Sequence, residues 1–562
     1  MLAMSKWFTL TPFMSNRFSK RVGFSNSPSS VRVHVNGGGD DTNNSKNNDK
    51  KKKKKKVVVV GSGWAGLGAA HHLCKQGFDV TVLDGGDGIG SPDNVGIQGF
   101  WYPYKNIFSL VDELGIKPFT SWTRSAQYSG EGLEVEFPVY QELPQLPTPL
   151  GTLYHTQSTV PLINIRKSFH YMQFVRLPLD FPAIALNTRL IPSLWDLIDF
   201  DNTDVAWKKY DSITARELFK RFGCSERLYQ DIFGPLLQVG LFAPAEQCSA
   251  AATLGLLYYL TLAHQKHFDV AFCRGTTKQK IFEPWVESLK AKGCEMLEDK
   301  NVTDFNFNEE TGCVTEVVCG NETYSVDAVV VAVGITTLQE TIKKSAALCK
   351  REEFLKVLNL AGIDVVTVKL WLDRKVAIPN PSNACAGFDD LFGCTVFDLN
   401  VIHDEHKDDT ETVLEADFYH ANELLPLNDE LVTEKVISYL SKYINDLESA
   451  CVVDKEIGRF PKRLTHFFPG SYKYMMRGST SFSNLFMAGD WIITRHGSWL
   501  QEKSYVTGLE AANRVVDYLE EGSFAKVIPV EEDEPHIEAL RGLNRRLNEI
   551  ISQVPLFSYF LQ

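Results

Sequence analysis

The chain has no stretch of eighteen or more apolar residues, so no segment is long enough to cross a bilayer as a helix. Its eleven cysteines, at positions 74, 224, 248, 273, 294, 313, 319, 349, 385, 394 and 451, include no C-x-x-C pair. That scatter argues against a zinc site or a disulfide framework and favours a reducing compartment. H-E-x-x-H, G-x-S-x-G and Walker-type turns are missing, as is any His and Cys cluster at metal-ligand spacing, so no metal is expected. Acidic residues are missing from Met1 to Gly39, which hold Lys6, Arg17, Lys20, Arg21, Arg32 and seven serines. That is the composition of an organelle transit peptide.

What is present begins with core material. Of 562 residues, 44% are apolar and 11% aromatic, enough for a buried interior and too many residues for a single compact core. Two or more joined domains are expected. The polar "GGGDDTNNSKNNDKKKKKKK" after the basic leader reads as a linker, because it cannot bury enough apolar surface to offset its ordering entropy. Beyond residue 56 the chain carries 45 Lys and Arg against 67 Asp and Glu, a net charge of −22. A body this acidic is a poor partner for nucleic acid.

At Val57 the lysine run meets four valines and a glycine turn. The β-branched run suits a strand buried on both faces, and Gly61, Gly63 and Gly66 fit G-x-G-x-x-G. Leu67, Ala70 and Leu73 then recur at helical spacing. In such a turn the first glycine permits the bend, the second lets backbone approach a pyrophosphate, and the third lets helix and strand pack closely. The phosphates meet unpaired N–H groups at the helix N-terminus. Gly77 closes the helix, "FDVTVLD" supplies a second strand, and Asp84 at its end is placed for a ribose hydroxyl. The turn alone does not separate FAD from NAD. Near the other end, "SFSNLFMAGDWI" repeats strand, glycine and acid with Gly489 and Asp490, and a helix-like stretch follows.

This pairing resembles the flavin-dependent amine-oxidoreductase superfamily, and within it the carotenoid and squalene desaturase-like branch. The motifs that carry the resemblance are "VVVVGSGWAGLGAAHHLCKQGFDVTVLD", "DAVVVAVG", "VKLWLDRKV" and "LFMAGDW", spread over most of residues 57–520. The resemblance implies FAD as cofactor, held by Gly61, Ser62, Gly63, Ala65, Gly66, Asp84, Val302, Gly489 and Asp490, with the Val302 backbone facing the adenine. It also implies a two-domain α/β FAD-binding oxidoreductase fold. The discontinuous Rossmann-like nucleotide domain, with a mainly parallel sheet, is expected from 57–150, 275–345 and 475–520. An α+β substrate domain is expected from 151–274 and 346–474, between a transit peptide and linker at 1–56 and a helical extension at 521–562. The chain departs from its relatives at Ser91-Pro92-Asp93, where a basic side chain would reach the pyrophosphate, leaving that counter-charge unassigned.

Residues 155–280 are rich in aromatic and apolar side chains, and the run Ala250 to Ala263 suits a buried helix walling a pocket. A flavin carries the hydride step itself, so no nucleophile is required. His71 and His72 adjoin on the first helix and point in different directions, which suits structural roles. Arg495, His496, Glu502, Lys503 and Tyr505 lie near the second acid; His496 or Glu502 suits proton transfer, but capping and solvation suit them too, and no catalytic base is assigned. Ile537, Leu540, Leu543, Leu547, Ile550 and Ile551 form one stripe of a terminal helix expected to dock. The expected protein is a plastid flavoprotein, in the stroma or peripheral to a plastid membrane, acting on an apolar isoprenoid by desaturation or redox-assisted isomerisation. Peripheral membrane contact fits this picture, and the sequence does not name the electron acceptor. An amine oxidase of the same fold and a non-catalytic flavin-binding protein are the alternatives.

Overall fold

The four valines at 57–60 form the centre of a five-stranded parallel sheet, and each is 6% exposed or less. A β-branched side chain fits a pleated strand covered on both faces, and burying each valine contributes about 1.5–3 kcal/mol. The computed structural model describes residues 54–553 apart from 87, 89–94, 130–131, 149, 159–199, 201–202, 222–223, 225, 227–228, 263, 387–392, 495 and 497–499. The elements below belong to the unit that begins at Lys54. The expected transit peptide, Ser91-Pro92-Asp93, most of the aromatic stretch at 168–200 and the final "VPLFSYFLQ" lie outside the described residues.

The parallel sheet runs in the spatial order Leu485–Met487, Ala328–Val331, Lys56–Val60, Asp79–Leu83, Glu295–Leu297. Val57 to Val60 pair with Ala328 to Val331 on one side and with Val80 to Leu83 on the other. Leu485 to Met487 complete the edge beside Val329 to Val331. Distant segments therefore meet in one layer, and the C-terminal ends of their strands open on the same side. Helix Trp64–Lys75 follows the first strand and helix Leu500–Leu519 packs across it. The two axes approach through glycine. A Cβ on Gly508 would lie 2.1 Å from the Ala65 carbonyl oxygen, and one on Gly68 would lie 2.8 Å from the Tyr505 ring.

A second, eight-stranded mixed sheet is built around the long strand Ala361–Leu372, which pairs antiparallel with Val452–His466 and Val413–Tyr419. The order continues through Gly393–Asp398 and Ser382–Cys385 to Ser125–Ser129 and Gly132–Phe137. This sheet thus draws two strands from the stretch 57–150. Helix Asp429–Leu440 covers one face over Val366, Val368, Leu370 and Phe418. Helix Ala250–Leu257, with Thr253 its one polar side chain, is buried at every position, as a helix apolar on all sides must be.

The terminal helix Pro535–Gln553 docks through part of the expected stripe. Leu543 is 48% exposed, whereas Ile537 and Asn544 are buried. Arg541 also turns inward, to Asp533 at 2.7 Å. Asp533, in the segment that leads into this helix, also accepts a hydrogen bond from Tyr258. His71 and His72 are structural. His71 holds the Glu113 carboxylate at 2.9 Å and accepts from Trp285 Nε1 at 3.0 Å, and His72 bonds the Ser523 carbonyl at 2.7 Å.

Candidate functional site

Each glycine of the first turn meets a different constraint. Gly61 has φ +99°, and a Cβ there would fall 2.4 Å from the Ala332 carbonyl oxygen. A Cβ on Gly66 would overlap the Gly61 carbonyl at 1.9 Å. In front of Gly63 there is open space, with no heavy atom within 4 Å of a Cβ built there. A helix N-terminus with bare backbone facing a cleft is the cradle a pyrophosphate requires. Asp84 steadies the turn: its Oδ2 accepts from the Ser62 N–H at 2.9 Å and the Ser62 hydroxyl at 2.5 Å, and its Oδ1 accepts from the Gly86 N–H at 2.9 Å.

These residues line a cleft of about 900 Å³ along the strand ends, shared by Gly61, Ser62, Gly63, Ala65, Asp84, Val302, Gly489 and Asp490. The two chain ends marked in the sequence therefore close around one space. Gly66 lies behind the turn and does not line the cleft. Gly489 adopts φ +142°, and its N–H and carbonyl are both tied to the Thr507 hydroxyl, at 2.9 and 3.1 Å. Asp490 accepts from the Thr465 hydroxyl at 2.6 Å. Burial pushes its carboxyl upward, opposed by the Thr465 hydrogen bond and by the nearby Lys503 charge. Lys503 is 4% exposed, and burial pushes its ammonium down to about 8.

A second cavity, of about 310 Å³, adjoins the cleft. The two meet at Trp64, Arg463, Asp490 and Ser504, which line both. The cavity wall is made by Leu236, Val239, Leu256, Leu257, Leu260, Phe268 and Phe397, with Gln98, Thr395 and Tyr419 as polar members. Helix Ala250–Leu257 does wall a pocket, as its composition suggests. Asp417, 1% exposed, accepts from the Ile97 N–H at 2.8 Å and holds the backbone beside Gln98 and Gly99 against the cavity. Gly96 is obligatory here, since its φ is +73° and a Cβ would lie 2.0 Å from the Asp417 carboxylate.

The groups weighed for proton transfer have structural partners. Glu502 is 1% exposed and receives the Asn106 N–H, the Asn106 side chain and the Ile107 N–H at 2.8–3.0 Å. It caps helix Lys105–Leu114 from nearly 400 residues away. His496, also buried, stands 3.4 Å from the same carboxylate. Arg495 lies outside the described residues. The sequence reading missed Trp64 and the cations Lys278, Lys300, Lys344, Lys462 and Arg463, all of which line the cleft. Trp64 stands inside the glycine motif as one of its variable positions, and Arg463 sits in a strand whose register nothing in the sequence marks.

The residues of the cleft fit a flavin dinucleotide. The open face at Gly63 leaves room for phosphate oxygens, and the buried Trp64 Nε1–H, where the two cavities join, has no acceptor among the described residues. A buried donor without a partner costs about 1–3 kcal/mol, so it suits an acceptor brought by a bound group.

Comparison with known proteins agrees with this geometry. The family model for flavin containing amine oxidoreductase matches residues 64–516. The 15-cis-phytoene desaturase, chloroplastic/chromoplastic, of Capsicum annuum is 20% identical over 449 residues, covering 77% of this chain and 72% of its own length. A protein of Synechococcus elongatus named "Probable zeta-carotene desaturase" is 21% identical over 490 residues, covering 81% and 95%. Among solved structures, cyclohexylamine oxidase from Brevibacterium oxydans superimposes with a TM-score of 0.60 at 14% identity, covering 83% of this chain and all of its own. An oxidoreductase from Methanosarcina mazei gives 0.54 at 14% identity, covering 81% and 99%. The match across most of the chain, joined to a dinucleotide cleft that opens on an apolar cavity, makes this protein a member of the flavin containing amine oxidoreductase family, an oxidoreductase that uses FAD.

Proposed function

We propose that the protein is a plastid enzyme that oxidises an apolar isoprenoid, by carotenoid-like desaturation or by redox-assisted isomerisation. The observation that carries this reading is the apolar cavity joined to the nucleotide cleft at Trp64, Arg463, Asp490 and Ser504. The names of the Capsicum and Synechococcus relatives point to the same substrate class. The plant relatives' chloroplastic and chromoplastic location, with the acid-free basic leader, supports a plastid, in the stroma or at a membrane surface that supplies the substrate. The nucleotide domain is proposed to draw on 57–150, 275–345 and 475–520, and the substrate domain on 151–274 and 346–474.

Bound FAD supplies the hydride acceptor and electron store. The chain's own residues do the rest. Gly61, Ser62, Gly63 and Ala65 hold the pyrophosphate side, with Arg463 and Lys278 as counter-charges in place of the basic residue absent at 91–93. Asp84 and Val302 face the adenosine half, and Gly489 and Asp490 the ribityl half. Leu256, Leu257 and Leu260 exclude water and align the apolar chain. Lys503, pushed down to about 8 beside Asp490, holds or releases a proton at Nζ near the junction.

Trp101, Phe137, Phe268 and Tyr419 in the same cavity favour a second reading, oxidation of a C–N bond, because aromatic faces hold a cation. Anaerobic mixing of the yellow holoprotein with a C40 polyene in detergent, or with primary amines, separates the readings. Bleaching by the polyene supports the first, and bleaching by amines alone replaces it with the second. Stable yellow colour with both marks a flavin-binding protein without this catalysis.

A further inference from the structure

The turn that follows a wall strand of the cavity carries a second constellation, none of whose three members lines the flavin cleft. Strand Gly393–Asp398, whose Phe397 lines the apolar cavity, leads through the short helix Leu399–Ile402 into the turn Asp404–His406. Here His403, Glu405 and His406 each present one ligand atom, all within 4.8 Å of one another. Glu405 Oε1 stands 3.5 Å from His403 Nδ1 and 3.4 Å from His406 Nε2.

Three facts separate this group from an ordinary surface cluster. The His403 side chain is 3% exposed, yet neither of its ring nitrogens makes a hydrogen bond among the described residues. Leaving a buried polar atom unmatched costs about 1–3 kcal/mol unless another partner arrives. His406 Nδ1 lies 2.9 Å from the Asp409 carboxylate, which takes that N–H and fixes the lone pair on Nε2, itself buried and unbonded. A carboxylate behind a histidine in this way is the usual support of a metal-bound imidazole. The turn is also held in advance: Asn400 Nδ2 donates to the His406 carbonyl at 2.9 Å, and the Asp404 N–H donates to the Arg274 carbonyl at 3.1 Å.

The geometry points to a binding site for a divalent transition-metal ion of the zinc class, made by His403, Glu405 and His406 with water in the fourth position. Zinc bonds of about 2.0–2.1 Å to nitrogen and oxygen put neighbouring tetrahedral ligands roughly 3.3 Å apart, close to the two Glu405 edges. Two imidazoles and one carboxylate favour zinc and its first-row neighbours over magnesium or calcium, which prefer all-oxygen sites. The Lys369 ammonium, 4.0 Å from Glu405 Oε1, is the competing cation. A metal here would staple the turn that ends a wall strand of the cavity.

The contrast within the same molecule is instructive. His264, His267 and Glu531 converge as closely, but their atoms are already engaged. His264 Nε2 holds the Glu532 carbonyl at 2.7 Å, His267 bonds the Tyr259 carbonyl and Glu531 at 3.2 Å each, and Lys266 pairs with Glu531. That group is a satisfied ion-pair network.

The test uses the full-length, untagged holoprotein, stripped with a chelator, titrated with zinc sulfate and assayed for retained metal after gel filtration. One zinc per chain is expected, undisturbed by millimolar magnesium or calcium. Glu405→Gln and His406→Gln should each weaken binding roughly 10- to 100-fold, and Asp409→Asn about 10-fold. Lys369→Gln should tighten it, which damage to the fold would not do, and His264→Gln should leave it unchanged. Glu405 is 44% exposed, so Glu405→Gln spares the core. Absence of retained zinc, retention unaltered by Glu405→Gln and His406→Gln, or displacement by calcium would overturn the assignment.

Discussion

Gly66 sits directly against Gly61, so close that a Cβ on the helix residue would lie 1.9 Å from the carbonyl oxygen of the turn residue. Both are backbone atoms of a short loop, so neither yields by rotating a side chain. Gly63, two residues after Gly61 and three before Gly66, faces only open cleft. The motif therefore separates a folding role from a binding role within six residues.

Gly63→Val should fold, with stability of the cofactor-free protein within about 0.5 kcal/mol of the parent, yet lose its flavin. Gly66→Ala should lose soluble protein as well, because it forces apart the first strand and helix. The ratio of visible to ultraviolet absorbance after gel filtration, with circular dichroism, checks both. A yellow Gly63→Val protein would place the pyrophosphate elsewhere.

Glu502→Ala should act as a lost cap. Three donors at the start of helix Lys105–Leu114 lose their acceptor inside the protein, a cost of several kcal/mol at about 1–3 kcal/mol per unmatched donor. The urea midpoint should fall sharply. If the variant unfolds like the parent while the rate of flavin reduction drops and its pH profile shifts, Glu502 is a proton-transfer group instead.

Trp285 is fully buried among Trp64, Phe282 and His71. Trp285→Ala should destabilise by about 3–5 kcal/mol, the range for removing a large aromatic ring from a packed core. Equilibrium unfolding monitored in the far ultraviolet measures it, and a loss under 1 kcal/mol would mean that the site collapses to fill the void.

Lys503 predicts a pH dependence with a definite sign. Its proton leaves the folded protein at about 8 and the unfolded chain near 10.5. Below pH 8 both states are protonated and folding carries the whole cost of the buried charge. Between these values only the unfolded chain stays protonated, so stability rises with pH, by about 3 kcal/mol in all, and levels off above 10.5. Urea titrations of cofactor-free parent and Lys503→Met proteins should differ by this rise, and parallel curves from pH 7.5 to 10.5 would refute it.

The βαβ unit was readable because local rules agree there. A β-branched run, a glycine turn and a 3.6-residue apolar period all lie within Val57 to Asp84, so no distant contact had to be known. The second half of the cleft was readable because "AGD" repeats the same turn chemistry. Strands Ser125–Ser129 and Gly132–Phe137 carry no such mark, since their place in the mixed sheet depends on pairing with Ser382–Cys385 some 250 residues on. Glu502 looked ambiguous for a similar reason: the helix that it caps is far away in sequence. Leu543 misled because hydrophobic spacing alone cannot reveal that the helix buries Arg541 against Asp533. His403, Glu405 and His406 form no familiar metal spacing, and what marks them is burial without hydrogen bonds, a property visible only in three dimensions.

The parallel sheet also sets a timetable for synthesis. Its valine strand finds Asp79–Leu83 at once, but its other flank stays bare until Ala328–Val331 has been made, about 270 residues later. At roughly 5–20 residues per second that is a wait of about 10 to 60 s, with an apolar ladder of unpaired N–H and C=O groups held open. Truncations ending before residue 328 should therefore aggregate rather than accumulate as soluble half-domains.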